Sequence, residues 1–321
     1  MKILVTGGSG FIGIHLVSHL RKLNYEVLNL DIKPPLDGNN LDTWQEVSVL
    51  DSIELRRSFC AFQPKIVVHL AATTTQDAKD IEEFRVNIEG TENLVKICNE
   101  NTVGKFFFVS TQYINSPGKP ISDDLEELEP YGLYGLSKLI GERIVRCKLE
   151  SGSWTILRPT NIWGPRHTIL SNGLWKHIYN NHYWHARKDQ SIKGYGFVEN
   201  TVWQIEKLIA MDSSVTDKRT WYLMDNNILQ RDWVNAFAQA VHKRDLREVP
   251  KFFLKIISEL GELAIRFNMA APIYRSRYRN LITSNPIPIE KSVGFLGPVP
   301  IGLKESMERT VAWFTDEFRS K

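Results

Sequence analysis

A tyrosine and a lysine four residues apart, Tyr134 and Lys138, form the pair in this sequence best suited to proton transfer. Both lie at the start of a predicted helix, where residues i and i+4 share one face. An ammonium group beside a phenol stabilises the phenolate and lowers the pKa of the phenol. Tyr134 could therefore take a proton from a carbinol oxygen, or return it, near neutral pH. Pairs with this spacing are usually solvated surface pairs, and it is the position of this one after four strand–helix units that favours catalysis.

Three glycines spaced by three residues, Gly7, Gly10 and Gly13, lie in the turn between the first predicted strand and the first predicted helix. Glycine is required where the backbone turns tightly, where a pyrophosphate approaches the backbone and where a helix packs closely on a strand. The free N–H groups and partial positive charge of the helix N-terminus then attract phosphate. A glycine trio alone indicates only a tight turn, but the strand before it and the helix after it predict a dinucleotide-binding loop.

Asp31 ends the second predicted strand, 18 residues after Gly13. A carboxylate at this position can accept hydrogen bonds from the adenosine ribose and would repel a 2′-phosphate. The sequence therefore predicts NAD as the cofactor. NADP stays an alternative, because Lys33 follows closely and could soften the preference.

Short apolar segments alternate with segments of helical periodicity through the first half of the chain, which predicts a parallel sheet with right-handed crossovers. The predicted strands are residues 2–6, 26–30, 66–70, 105–110 and 154–158, and the predicted helices are about 12–22, 52–62, 82–99 and 134–150. The predicted fold class is α/β, a Rossmann-type doubly wound parallel sheet with a smaller, mostly C-terminal substrate-binding domain. We expect residues 1–162, with about 193–225, to form the NAD-binding domain, and about 163–192 and 226–321 to form the substrate-binding domain.

The second half of the chain has a less regular pattern. Residues 163–195 are rich in Trp, His, Tyr, Asn and Gly, which suits a binding-loop region. Residues 201–210 and 232–242 are predicted to be helical, and 280–302 to form loops and short strands because of their prolines and glycines. The segment 251–268 is strongly amphipathic; a helix packed on the core is the expected structure, and a helix on a membrane surface is the alternative.

Composition and charge indicate an ordinary globular protein. The chain has 321 residues, 42% hydrophobic and 24% charged, and a formal net charge of +3, so charge gives no reason to expect a nucleic-acid or membrane partner. The apolar runs are too short for an integral membrane segment, and the first is too short for a signal peptide. Three cysteines lack metal-binding spacing, and four histidines between 167 and 185 lack an acidic or Cys partner at ligand spacing. A cytoplasmic protein with reduced thiols and no metal site is therefore expected.

Several motifs follow one another in a fixed order, and together they resemble the extended short-chain dehydrogenase/reductase family, in its nucleotide-sugar epimerase/dehydratase branch. The loop 6–13 is similar to the family's TGxxGxxG. Residues 69–72 (HLAA) are similar to HxAA, 87–94 (NIEGTENL) to NxxGTxNLL, and 158–166 (RPTNIWGPR) to RPxNxYGPR. Ser110 and Thr111 close the fourth strand where the family has a catalytic Ser or Thr. The resemblance covers most of the chain and is strongest over residues 1–165.

The resemblance implies a role for each matching residue. Thr111 would hydrogen-bond the reacting sugar oxygen, Tyr134 would be the acid and base, and Lys138 would tune Tyr134 and hold the nicotinamide ribose. Hydride would move between the nicotinamide and the sugar carbon. The expected cofactor-binding residues are Gly7, Gly10, Phe11, Ile12, Gly13, Asp31, Ile32, Leu70, Ala71, Ala72, Asn87, Tyr134 and Lys138. The expected substrate-binding residues are Thr111, Asn161, Lys193 and Arg275, although a turn-forming role for Asn161 and a solvated cluster around Arg275 stay open.

Departures from the family pattern narrow the expected reaction. Gln112 and Tyr113 follow Thr111 where 4,6-dehydratases carry Asp-Glu, so dehydration is not expected. The leading expectation is a 4-epimerase that acts on a nucleotide-linked sugar in polysaccharide precursor synthesis. UDP is the nucleotide expected first. The alternatives are a 4-keto-6-deoxysugar reductase using NAD(P)H, a 3β-hydroxysteroid-type dehydrogenase and a catalytically idle NAD-sensing protein. Because related enzymes pair through two helices, we also expect a homodimer through 82–99 and 134–150.

Overall fold

A computed structural model describes residues 1–75, 77–119, 121–122, 125–267, 269, 271 and 273–319. The strands are β1 (Lys2–Thr6), β2 (Glu26–Asp31), β3 (Trp44–Glu46), β4 (Ile66–His69), β5 (Lys105–Val109), β6 (Ser153–Pro159), β7 (Asn161–Trp163), β8 (Trp184–Ala186), β9 (Ile192–Phe197), β10 (Arg219–Leu223), β11 (Asn226–Leu229) and β12 (Arg247–Val249). The helices are α1 (Phe11–Lys22), α2 (Ser52–Phe62), α3 (Arg85–Asn99), α4 (Gly132–Lys148), α5 (Thr168–Leu170), α6 (Lys176–Tyr179), α7 (Val198–Ala210), α8 (Ser213–Thr216), α9 (Gln230–His242), α10 (Lys251–Arg266), α11 (Arg275–Ile282), α12 (Val293–Leu296) and α13 (Leu303–Arg319).

The main sheet has seven strands, all parallel, in the order β10-β6-β5-β4-β1-β2-β3. This confirms the Rossmann-type α/β fold expected from the sequence. The order of the strands reverses between β1 and β4, which opens a crevice at the carboxyl ends of these two neighbours. At this edge the glycine loop after β1 approaches the segment after β4 so closely that a Cβ on Gly7 would lie 2.5 Å from the backbone N of Ala71.

Alternate residues of the central strands pack against opposite faces of the sheet. One face is covered by α2, α3 and α4, and its core includes Leu4, Val67, Phe106, Ile156, Leu55, Leu94 and Val145. The other face is covered by α1 and α7, and its core includes Ile3, Val68, Phe107, Leu157, Leu16 and Ile205. Burial on both faces explains why the central strands are unbroken apolar runs in the sequence rather than alternating ones.

The chain divides into two compact units: residues 1–162, 198–225 and 288–299 form the first, and 163–197, 226–287 and 300–321 form the second. The division differs from the expected one at two places. Residues 193–197 belong to the second unit, because β9 pairs antiparallel with β11. Residues 288–299 belong to the first unit, because Phe295 packs on Trp221 with ring centroids 4.6 Å apart and Lys207 Nζ donates to the carbonyl of Leu296 at 3.1 Å.

The second unit is built around aromatic side chains. Trp175 stacks on Phe237 with ring centroids 4.1 Å apart, and Tyr195 stacks on Trp233 at 4.3 Å. The sequence analysis assigned the aromatic residues of 163–195 to a binding-loop region, and this is wrong for Trp163, Trp175 and Tyr195, which are buried in this core. Composition alone does not separate aromatic residues that bind a ligand from aromatic residues that fill a core.

Other parts of the C-terminal half also differ from expectation. Residues 280–302 contain the end of α11, a 3-10 turn at Ile289–Lys291 and the short helix α12, in place of the expected short strands. The edge strands β3 and β10 and the last helix α13 were not predicted. The helix α10 forms as expected, but its apolar side does not pack on the core. Phe252 and Leu260 are 66% and 62% exposed, and Phe267, which follows the helix, is 70% exposed. Among the described residues, no helix is both long and apolar enough to span a bilayer.

Candidate active site

Helix α4 carries Tyr134, Lys138 and Glu142 at intervals of four residues, so these side chains share one stripe of its surface. Close packing at the start of the helix brings this stripe to the end of β5. A Cβ on Gly135 would lie 2.1 Å from the carbonyl oxygen of Tyr113, so only glycine permits this approach. The result is that Tyr134 lies near Thr111, two residues after the end of β5.

The hydroxyl of Thr111 lies close enough to the phenol of Tyr134 to affect its pKa. The Thr111 hydroxyl accepts the backbone N–H of Tyr113 at 3.2 Å, which orients it. Burial raises the pKa of Tyr134 to about 12, although the Thr111 hydroxyl opposes this shift. The sequence analysis expected Lys138 to lower the pKa of this phenol; in the structure the loss of hydration outweighs any such effect.

Lys138 is buried, with only 2% of its surface exposed. Burial lowers the pKa of its ammonium to about 7, while the negative charge of Glu142 opposes the shift. The ammonium nitrogen lies 4.9 Å from the ring centroid of Phe108, a cation–π contact that compensates part of the lost hydration. A lysine with such a pKa can exchange its proton near neutral pH, next to the phenol of Tyr134.

A chain of buried hydrogen bonds connects the crevice between β1 and β4 with α3. Thr6 Oγ1 lies 2.6 Å from His69 Nδ1, and His69 Nε2 lies 3.0 Å from Thr91 Oγ1. The hydroxyl of Thr91 donates to the backbone carbonyl of Asn87 at 2.7 Å, so it must accept the proton of Nε2–H. His69 is therefore the neutral Nε2–H tautomer, and Thr6 donates to its Nδ1.

A second chain of hydrogen bonds runs from Asn87 to the helix that carries Tyr134. Asn87 Nδ2 donates to Ser137 Oγ at 2.8 Å, and the Ser137 hydroxyl donates to the carbonyl of Tyr134 at 2.8 Å. The Asn87 amide also bonds both backbone groups of Thr73, at 2.8 and 3.0 Å. Asn87, expected from the sequence to contact the cofactor, thus ties α3, α4 and the segment after β4 together.

The neutral, buried His69 predicts a loss of stability in acid. Burial lowers the pKa of His69 to about 3, and the positive charge of Lys138 adds to this shift. In the unfolded chain the group titrates near 6.5. Between these values the unfolded state binds a proton that the folded state does not, so stability present above pH 6.5 is lost as the pH falls towards 3.

We expect urea unfolding between pH 6.5 and about 3 to show a smaller fall in the free energy of unfolding for His69→Gln than for the wild type. The matched control is His182→Gln, which removes an imidazole at an exposed position. A wild-type curve with the same pH dependence as His69→Gln would contradict a neutral imidazole at this position.

The end of β1 has the features that a dinucleotide requires. No side chain caps the N-terminus of α1, and its first turn contains no acidic residue, so its N–H groups and partial positive charge are suited to a pyrophosphate. Gly7 has a positive φ of 72°, which favours glycine. The Asp31 carboxylate accepts the N–H groups of Ser9 and Lys33 at 3.0 Å each and retains lone pairs for ribose hydroxyls. These residues fit NAD.

The remaining expected cofactor residues border the same crevice. Phe11, Ile12 and Gly13 form the first turn of α1. Ile32 follows Asp31 and is 61% exposed. Leu70, Ala71 and Ala72 follow β4 and are half-buried.

The expected substrate-binding residues fall in both units, and each already has protein partners. In the first unit, Gln112 Nε2 donates to Asn161 Oδ1 at 3.1 Å. In the second, Lys193 is buried and donates to the carbonyl and side-chain oxygens of Asn280 at 2.6 and 2.8 Å. Arg275 is exposed and its Nε donates to Glu259 at 2.7 Å. Lys193 and Arg275 thus anchor α11, and a contact with substrate would require these bonds to be exchanged.

A buried ion pair beneath the site was not predicted from the sequence. The Arg158 guanidinium makes two parallel hydrogen bonds to the Glu142 carboxylate, at 2.9 and 2.8 Å, and donates to the Tyr222 hydroxyl at 3.1 Å. Neither side chain of the ion pair is exposed. The spacing of four residues between Lys138 and Glu142 was a usable signal, but nothing local in the sequence pairs Glu142 with Arg158.

Comparison with known proteins shows which family the chain resembles. The model of the NAD-dependent epimerase/dehydratase family matches residues 3–201. The chain is 30% identical over 173 residues to a putative UDP-glucose 4-epimerase of Methanocaldococcus jannaschii, which covers 51% of this chain and 57% of that protein. It is 24% identical over 342 residues to a sterol-4-alpha-carboxylate 3-dehydrogenase (decarboxylating) of Schizosaccharomyces pombe, which covers 99% of this chain and 98% of that protein.

A solved structure of UDP-glucose 4-epimerase with UDP-glucose, from Thermotoga maritima, superposes on the chain with a TM-score of 0.73. The alignment covers 99% of this chain and 100% of that chain at 20% identity. At this identity the likeness shows the fold.

Proposed function

Because the chain belongs to the NAD-dependent epimerase/dehydratase family, we propose that it is an NAD-dependent 4-epimerase of a nucleotide-linked sugar, UDP-linked in first place. The observation that carries the proposal is that Tyr134 and the buried Lys138 share one stripe of α4, close to the Thr111 hydroxyl. This arrangement would suit a carbinol oxygen that contacts Tyr134 as acid and base and Thr111 as hydrogen-bond donor. Polysaccharide precursor synthesis is the metabolic setting we infer.

In the proposed reaction, bound NAD supplies the hydride acceptor and later the hydride donor. The amine form of Lys138, whose pKa burial lowers to about 7, accepts the phenol proton of Tyr134, and the resulting phenolate takes the proton of the C4 hydroxyl as that carbon is oxidised. Thr111 donates a hydrogen bond to the same oxygen, and Lys138 would also hold the nicotinamide ribose. The 4-keto sugar then rotates in the site and presents its other face. Tyr134 returns the proton to the oxygen, and C4 is left in the opposite configuration.

The residues after Thr111 favour epimerisation over dehydration. Elimination of water needs an acid and a base beside the sugar, and a carboxyl pair would supply them. The chain instead has the amide of Gln112, which donates to Asn161, and the phenol of Tyr113, whose pKa is raised by burial. An amide does not exchange protons near neutral pH, so the site retains the groups for oxidation and reduction alone.

The amount of bound cofactor tests the proposal. We expect freshly purified protein to release about one NAD per chain on denaturation, because an epimerase recycles its hydride and has no need to exchange the cofactor. Mass spectrometry identifies and counts the nucleotide. Incubation with UDP-glucose, UDP-N-acetylglucosamine or UDP-glucuronic acid should then give a C4 epimer by NMR without added cofactor. Protein that is empty when purified and reduces a 4-keto sugar only with added NADPH would contradict the proposal.

A second candidate function is oxidation of a 3β-hydroxyl on a sterol-like ring. The alignment over 99% of the chain with a sterol-4-alpha-carboxylate 3-dehydrogenase favours it. The same three residues, Thr111, Tyr134 and Lys138, would serve, but NAD would leave as NADH. Growth of NADH absorbance with a 3β-hydroxysteroid, and none with a UDP-sugar, would select this function.

We also propose a homodimer. Helices α3 and α4 pack side by side on one face of the sheet and carry exposed ion pairs such as Arg85–Glu89 and Lys148–Glu92. Two copies of this helix pair would form a four-helix bundle. Sedimentation at micromolar concentration should give twice the mass of the 37.0 kDa chain. A single species of monomer mass would exclude this dimer.

A further inference from the structure

Helix α10 has an apolar side that faces outward. Phe252, Phe253, Ile256, Leu260, Leu263 and the following Phe267 are between 44% and 70% exposed, and we name this set the α10 face. At 100° per residue they lie on one side of the helix. The opposite side is buried through Leu254, Ser258 and Gly261. A Cβ on Gly261 would lie 1.9 Å from the carbonyl oxygen of Ile273, so the buried side packs closely against the neighbouring backbone.

Positive charge is concentrated around this face. Residues 251–282 contain six basic residues and two acidic ones, which leaves the rest of the chain with one more acidic residue than basic. Lys255 and Arg266 lie along one edge of the α10 face together with Glu259 and Glu262, and Arg277 and Arg279 follow on α11. Glu259 accepts a hydrogen bond from the Arg275 guanidinium and Glu262 accepts the Arg275 backbone N–H, while Lys251 lies 3.9 Å from Asp189. An apolar surface beside excess positive charge complements a surface that is apolar and negative.

We propose that the α10 face docks on an anionic lipid bilayer, with α10 lying in the plane of the membrane. A helix of 16 residues is about 24 Å long, which is enough to lie along the interface. Phenylalanine and leucine enter the boundary between headgroups and acyl chains, and the neighbouring lysines and arginines contact the lipid phosphates. The docking does not depend on which hydroxyl the enzyme oxidises.

A second copy of the chain is a poorer partner for this face. A twofold interface brings the same patch of each copy together, so two surfaces that both have a net positive charge would face each other. Like charges at an interface oppose association. An anionic membrane neutralises these charges, and it also covers the apolar residues.

Co-sedimentation of the whole 321-residue chain with vesicles tests the proposal. We expect the wild type to sediment with vesicles of phosphatidylglycerol mixed with phosphatidylcholine, and much less with phosphatidylcholine alone. Raising the salt concentration should weaken the binding to the mixed vesicles, because the charges are screened. Wild-type protein that stays in the supernatant with both kinds of vesicle would overturn the proposal.

Substitutions on the α10 face locate the contact. Ile256→Glu with Leu260→Glu replaces two side chains that are 53% and 62% exposed, and we expect binding to the mixed vesicles to fall by at least about tenfold. The matched control is Ile53→Glu on α2, whose side chain is 76% exposed and which should bind as the wild type does. Circular dichroism and the NAD content should be unchanged in both variants. Equal vesicle binding by the double variant and the wild type would overturn the assignment to α10.

The same variants detect the competing partner. The molecular mass in solution is measured without lipid for the wild type and for the double variant. If a second copy binds the α10 face, the mass of the double variant should be lower than that of the wild type. That result, with no vesicle binding, would overturn docking on lipid. A mass that is the same for the wild type and the double variant, with vesicle binding lost only in the variant, supports it.

Discussion

Replacement of Tyr134 by phenylalanine is expected to lower the kcat of epimerisation by about a thousandfold. The change removes one hydroxyl and keeps the ring, so helix α4 and the contacts of Lys138 stay in place. What is lost is the group proposed to take and return the proton of the sugar hydroxyl. The NAD content of the purified variant should equal that of the wild type, because the residues around α1 and Asp31, which are expected to hold the pyrophosphate and the adenosine ribose, are unchanged. Initial rates with the preferred UDP-sugar give the measurement.

Tyr131 offers a matched control for this experiment. It lies three residues before Tyr134, is 38% exposed, and packs near Tyr113 with ring centroids 5.7 Å apart. Tyr131→Phe removes the same atom from the same part of the chain and should leave kcat within a few-fold of the wild type. If Tyr134→Phe kept its activity, the proton would have to pass through another group, and the role proposed for Tyr134 would be wrong.

Replacement of Arg158 by methionine is expected to lower the free energy of unfolding by about 3–5 kcal/mol. Methionine fills much of the same volume but leaves the Glu142 carboxylate buried without its two hydrogen bonds. The nearest remaining cation is Arg146, at 3.6 Å from the same carboxylate. Urea denaturation monitored by circular dichroism would measure the change.

Two further variants show whether the loss comes from an orphaned charge. In Glu142→Leu with Arg158→Met both charges are gone, and much of the lost stability should return, because an apolar pair of similar volume can replace a buried ion pair. Arg85→Ala breaks the exposed Arg85–Glu89 pair and should cost about 0.5 kcal/mol or less. If Arg158→Met alone had the same free energy of unfolding as Arg85→Ala, the buried ion pair would not be important for stability.

Local patterns in the sequence predicted the parts of the site that lie within one element or one turn. The glycine loop, Asp31 at the end of β2 and the pair Tyr134–Lys138 each depend on spacing along a strand or helix, and the structure has them at the expected positions. The same holds for the strands of the central sheet, whose apolar runs are bounded by turn residues.

Features that depend on contacts between distant segments were not predicted. His69 and Thr91 are separated by 22 residues and Glu142 and Arg158 by 16, and the pairing of each is set by how the sheet and helices pack. The expected lowering of the Tyr134 pKa was wrong in sign for the same reason, since burial is a property of the packed structure. The aromatic residues of 163–195 were placed in a loop because composition does not reveal which side chains fill a core.

The hydrogen bonds around His69 all point in one direction, from Thr6 through the imidazole and Thr91 to the carbonyl of Asn87. His69 and Thr91 each accept one hydrogen bond and donate another, so neither can be exchanged for a residue that only donates or only accepts. A change of Thr91 to valine, for example, would leave the Nε2–H of the buried imidazole without its acceptor. During divergence of this enzyme, Thr6, His69 and Thr91 are therefore expected to change together or not at all, which links the history of the glycine loop to that of α3.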